Sequence, residues 1–155
     1  MHKEGRSWAL WLAAVIGGLI VLSGAYAEIT RRESNAQAEL RIALQELRSQ
    51  IEEGSLLATH AKIDRHWDSF VREHARQLEK HMQASVDDVR TKAIEARHAD
   101  IGEVAAQRGQ DALASLRRVR SEPAAPATLD GAASEMERSS QALSRLLSTL
   151  PQQAR

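Results

Sequence analysis

Histidine is the residue type in this chain whose spacing most invites a chemical reading. His60, His66, His74, His81 and His98 lie in its body, and His60, Trp67, His74 and His81 recur at every seventh position. On a helix such residues share one heptad position; with Val71 and Leu78 at a, that position is d. Two chemistries follow. Imidazole titrates near neutral pH, so a histidine-lined seam would loosen as it charges. In an oligomer, His74 and His81 of facing chains are candidate ligands to a shared metal ion. A single chain cannot use them so: seven helical residues separate two rings by about 10 Å, whereas a histidine nitrogen sits roughly 2 Å from zinc. No histidine pair has the i,i+4 spacing of a helical metal site. The simplest expectation is that the rings border a helical seam and that no cofactor or metal resides in the chain.

Other catalytic vocabularies are missing. The chain has no cysteine, which excludes thiolate catalysis and cysteine-held metal centres. Gly17-Gly18 is not followed by a phosphate-loop lysine, and no serine sits in a nucleophile elbow. The carboxylates are spread over charged helical faces. "RRVR" at Arg117–Arg120 is a short basic cluster that could meet an acidic partner or anionic lipid, but a cationic helix C-terminus is the plainer reading. With 21 basic and 21 acidic residues the net charge is zero, unlike a general nucleic-acid binder. These absences predict a protein that is not an enzyme.

The elements that would position such residues are helices. Aromatic residues are only 3% of the chain, and its apolar content leans on alanine, with much Glu, Gln, Leu and Arg. That composition reads as long helix or coiled coil. From Trp8 to Ala27 no residue is charged. About 20 helical residues cover roughly 30 Å, the thickness of a bilayer's hydrocarbon core. Trp8 and Trp11 at one end and Tyr26 at the other suit the two interfaces. Ala13/Gly17 and Ala14/Gly18 have the small-xxx-small spacing of closely approaching membrane helices. Lys3, Arg6 and Ala25-Tyr26-Ala27 also fit a cleaved leader, but the apolar run exceeds the usual ~7–15 residues of one. An uncleaved anchor in an inner (cytoplasmic) membrane is expected, with the N-terminus inside and the body periplasmic rather than cytoplasmic.

The expected order is a tail at 1–7, a transmembrane helix at 8–27, a helical coiled-coil body at 28–120 with candidate breaks near 54 and 100–102, a Pro/Ala/Gly linker at 121–133, a C-terminal amphipathic helix at 134–150 and a tail at 151–155. The fold class is all-α. Leu40, Leu44, Leu47 and Ile51 step by 4, 3 and 4, as a coiled-coil seam does, and Val71 and Leu78, seven apart, take position a of the second helical stretch. These six are the expected self-association residues of a parallel homo-oligomer. Asp100 and Glu103, and Ser134 and Glu137, have capping-box spacing and predict helix starts there. Met136, Leu143, Leu146, Leu147 and Leu150 give the last helix an apolar stripe, expected to dock on another envelope protein. Gly54 and Gly102 lack surrounding turn residues, so an extended coiled coil is preferred over a folded-back bundle.

The order of parts — short tail, one span, long helix, linker at Pro123–Pro126, final amphipathic helix from Ser134 to Leu150 — resembles phage inner-membrane spanins. That likeness implies a periplasmic coiled coil joining an outer-membrane partner during lysis; the missing cysteine departs from the covalent dimers many such proteins form. A smaller patch, His60 and "RQLEKHMQAS" at Arg76–Ser85, is similar to YhcB-type division and envelope proteins, which would imply a cytoplasmic body. The common expectation is a single-pass, non-catalytic structural or interaction protein of the cell envelope, with the bilayer and a second copy as partners and no nucleic acid. The alternatives are a helical sensor module and a cleaved, secreted helical protein.

Overall fold

The computed structural model describes the backbone over residues 4–63 and 68–151 and the side chains over 32–63 and 68–151. Four helices account for it: α1 (Glu4–Ile63), α2 (Asp68–Glu95), α3 (Ala99–Ser121) and α4 (Pro126–Thr149). No strand occurs among the described residues, so the all-α expectation holds. The chain divides into two units, Met1–Asn35 and Ala36–Arg155. In the first, the backbone is helical from Glu4 onward. The proposed membrane stretch Trp8–Ala27 lies outside the residues whose side chains are described; among the described residues no helix is long and apolar enough to cross a membrane.

The second unit folds back on itself, which corrects the preference for an extended coiled coil. The α1 segment from Ala36 and α2 run antiparallel, since Glu53 meets His74 at 3.0 Å near one end and Glu39 meets Lys92 at 2.6 Å near the other. Gln83–Gln110 and Arg90–Glu103 set α3 antiparallel to α2. Arg118–Glu135 joins α3 to α4. Ser140 reaches Glu52 at 2.8 Å and Ser55 reaches the Ala133 carbonyl at 3.3 Å, so α4 closes against α1. The result is an up-down-up-down four-helix bundle.

The physical reason is that the leucine-rich stripes of α1 and α4 find partners in the same chain. Leu40, Leu44, Leu47 and Ile51 are fully buried, and Val71 and Leu78 nearly so. They face Leu113, Leu116, Val119, Leu129, Met136 and Leu143 inside one core. The six proposed self-association residues therefore have intrachain partners, and an intermolecular seam through them would require the bundle to open.

The turns are not where the glycines suggested. Gly54 lies within α1, buried, where a Cβ would stand 2.8 Å from Met136 Sδ and 3.5 Å from Leu78 Cδ2. Gly102 lies in the first turn of α3, against Ala93. The α2–α3 reversal instead uses Arg97, at φ 59. His98 N–H donates to the Ala93 carbonyl at 2.8 Å and Arg97 N–H to that of Ile94 at 3.1 Å. This is a Schellman C-terminus with arginine where glycine is usual, so a search for glycine or proline clusters passes over it. The helix starts also move. His98, not Asp100, stands at the α3 N-cap, and α4 begins at Pro126, eight residues ahead of Ser134. Ser134 and Glu137 are thus inside a helix, and most of the expected 121–133 linker is helical. Proline suits a first helical position because its missing N–H would have no partner there.

Candidate functional site: the charged clasps of α3

The basic cluster Arg117–Arg120 is divided between two neighbouring helices. Arg117 Nε and Arg120 Nη1 lie 3.8 and 3.2 Å from Glu79 Oε2 on α2. Arg118, on the other flank, pairs with Glu135 on α4. Residues 117 and 120 lie one turn apart on a helix, while 118 is turned about 100° away; that offset lets one short run grip both neighbours. The Glu79 side chain is only 13% exposed, and its second oxygen, Oε1, is buried without a hydrogen-bond partner.

Glu135 sits in a small polar network. The fully buried Ser115 places Oγ 2.7 Å from Glu135 Oε2 and 3.1 Å from the Asp111 carbonyl oxygen, and Arg118 Nη2 donates to that Oγ at 3.0 Å. The Ser115 hydroxyl first, and then Arg118, hold the Glu135 carboxyl below its ordinary range against the opposing effect of burial. Beside this network runs a groove of about 320 Å³, lined by Arg108, Asp111, Ala114, Glu135, Arg138 and Ser139. Its charges are largely engaged: Arg108 lies 3.4 Å from Asp111, and Arg138 Nε donates to the Ser134 carbonyl at 3.3 Å. A second clasp joins α1 to α4, where Glu52 accepts from Ser140 and Arg48, each at 2.8 Å. These two, the serine first, lower the Glu52 carboxyl as well. At the far end of α2, Glu39 and then Glu95 raise the Lys92 ammonium above its usual value.

The histidine stripe is on the bundle's flank. The core of α2 is Val71, Ala75, Leu78, Met82, Val86 and Val89, and His74 and His81 each stand one place before a core position. That displaces them from the expected d position. His81 and His60 are exposed. His74 is half-buried, bonded to Glu53 and stacked on Phe70 with ring centroids 5.5 Å apart. His66 and Trp67 lie outside the described residues. Among the described residues no three His, Asp or Glu side chains gather as metal ligands.

No family model, no curated protein and no solved structure matches this chain. The bundle must therefore be read from its own residues.

The C-terminal stripe is likewise turned inward. Met136 and Leu143 are fully buried, Leu147 and Leu150 nearly so, and Leu146 packs partly buried against the same core. Its expected docking partner is replaced by the chain's own body, because α4 is the fourth wall of the bundle. Sequence reasoning missed Glu79, Glu135 and Ser115. Their signal is weak: a serine and two glutamates among many become distinctive only once three helices bring them to the RRVR arginines.

Proposed function

We propose that the chain is a membrane-tethered helical-bundle module of the cell envelope that works by contact rather than by chemistry. The observation that carries this reading is the uncharged stretch Trp8–Ala27 followed by a bundle that closes its own core. The ionisable side chains around the α3–α4 groove support it, since Arg118 and Glu135 join the two helices while Arg108 and Asp111 pair within α3. A folded-back body favours a compact tethered module over an extended connector of the spanin kind: α2, at 28 residues, covers about 42 Å, against roughly 135 Å for an unbroken body of about 90 residues. We place the N-terminus inside and the bundle outside the cytoplasm; Lys3 and Arg6 ahead of the span support this orientation, Arg31 and Arg32 just after it oppose it, and the protease test below decides.

The test is fractionation with N-terminal sequencing. The mature chain should stay in the membrane pellet after alkaline washing and begin at or near Met1. A soluble chain beginning at Glu28 sinks the tether. Protease added outside spheroplasts should degrade the bundle; full protection would reverse the topology.

A further inference from the structure

Closing the core leaves one row of large apolar residues facing outward. Ile42, Leu56 and Ile63 on α1 are 61%, 60% and 77% exposed, and with the exposed Ser49 they recur at every seventh residue. The buried positions of the same helix are Leu40, Ala43, Leu44, Leu47, Ile51, Gly54, Leu57, Ala58 and Ala61. The row therefore lies on the face opposite the core. It extends over 21 residues, or about 32 Å.

We infer that a second copy of this chain packs along the row, parallel to the first. The charges on its two sides select that occupant. If Ile42, Ser49, Leu56 and Ile63 take position a of an outer heptad, Gln45, Glu52 and Thr59 fall at d. Glu39, Glu46 and Glu53 then fall at e, and Arg41, Arg48 and Lys62 at g. One flank is acidic and the other basic. Two parallel helices related by a twofold axis bring each g residue to the e residue five places on in the partner. Arg41 thus meets the partner's Glu46, and Arg48 the partner's Glu53, each pair occurring twice. In an antiparallel pair like flanks meet, Glu with Glu and Arg with Arg, which opposes association. An anionic membrane surface would not match the acidic flank.

The pairing is weak by construction. Its d positions are polar, and its flank charges must leave or share intrachain partners: Arg48 is bonded to Glu52, Glu53 to His74, Glu39 to Lys92 and Lys62 to Asp130. Arg41 is committed only to a 3.4 Å contact with the Pro151 carbonyl. Such a pair suits chains held in one membrane, where tethering raises the effective concentration toward the millimolar range; in that respect it rests on the proposed anchor. It also relocates self-association from the buried seam to the opposite face of the same helix.

The absence of cysteine makes the test clean. Ile42→Cys, Ile63→Cys and, as an off-row control, Ala84→Cys are introduced singly into the full chain and oxidised in native membranes. Ile42→Cys and Ile63→Cys should each form disulfide-linked dimers at least tenfold faster than Ala84→Cys. Arg48→Glu should slow the Ile42→Cys reaction several-fold, and adding Glu53→Arg should restore it. Rates no faster than the control overturn the proposal. So does cross-linking only when Ile42→Cys and Ile63→Cys chains are mixed, which would mean antiparallel pairing. A double charge swap that stays as slow as Arg48→Glu overturns the register. The anchor fails separately: a chain cut free of the membrane that still cross-links keeps the pairing and loses the tether, whereas a retained chain that does not cross-link keeps the tether and loses the pairing.

Discussion

At residue scale, Arg97 is the position where backbone and side chain disagree. Its φ of 59 lies in the left-handed region, which costs a non-glycine residue roughly 1–2 kcal/mol. Arg97→Gly should therefore raise the unfolding free energy by about 1 kcal/mol, net of the contact its side chain makes, measured by urea denaturation. A loss of stability would mean that the arginine side chain outweighs the strain. Acid response is also set at this scale. Glu135 and Glu52 titrate below their ordinary range in the folded chain, through Ser115 and Ser140 respectively as the largest causes. Lowered folded values mean that their stabilisation is present above the unfolded carboxyl range and lost as pH falls through the folded values. The melting temperature should thus change little between pH 7 and about pH 5 and fall below about pH 4. Ser115→Ala and Ser140→Ala should shrink that fall. An unchanged acid limb in the double variant would show that other carboxylates govern it.

At element scale, the closeness of α2 and α3 depends on two glycines one heptad apart. A Cβ at Gly102 would collide with Ala93 Cβ, and one at Gly109 with Val86 Cγ2, with Leu47 only 3.4 Å away. Gly131, inside α4, has nothing within 4 Å of that position. The same substitution should then act in opposite directions. Gly109→Ala should destabilise by about 1–3 kcal/mol through overpacking, while Gly131→Ala should stabilise by up to ~1 kcal/mol through helix propensity. Parallel denaturation curves decide this, and a stabilised Gly109→Ala would mean that the helices separate more easily than the contacts imply. Composition identified these segments as helical, and periodicity identified inner-face residues on α1, α2 and α4 but none on α3. Their ends were harder to read, because Arg97 and Ala125 occupy positions where glycine and a polar cap are the usual signals.

For the whole molecule, α4 is the element on which two views of the C-terminus part. A free amphipathic helix would lose a partner, but not the body's stability, when its stripe is made acidic. In the bundle, Leu143 is fully buried and Leu147 nearly so, both within the common core. Replacing a buried leucine by a charged residue removes apolar burial and strands a charge, a loss of several kcal/mol per site. Leu143→Glu with Leu147→Glu should thus unfold Ala36–Arg155 as a whole, seen as lost helicity and a lost cooperative melt. Helicity and melting like those of the unmodified chain would show that α4 detaches readily and is available to a partner.

From residue types and spacing alone came the helical class, the uncharged stretch Trp8–Ala27, and the inner faces carrying Leu40, Leu44, Leu47, Ile51, Met136 and Leu143. These follow from local chemistry: propensity is summed residue by residue, and a 3.6-residue period marks a face whatever comes to cover it. What covers each face was decided only by tertiary structure. Heptad spacing is the same for a seam between two chains and for a wall of one bundle, so the residues read as intermolecular contacts became an intrachain core. The roles of Gly54 and Gly102 likewise changed from hinge to packing, since a missing side chain looks the same in sequence whether the backbone bends or a neighbour fills the space. The clasps of Arg117, Arg118 and Arg120 depend on residues 17 to 41 positions away, a separation across which no local pattern carries information.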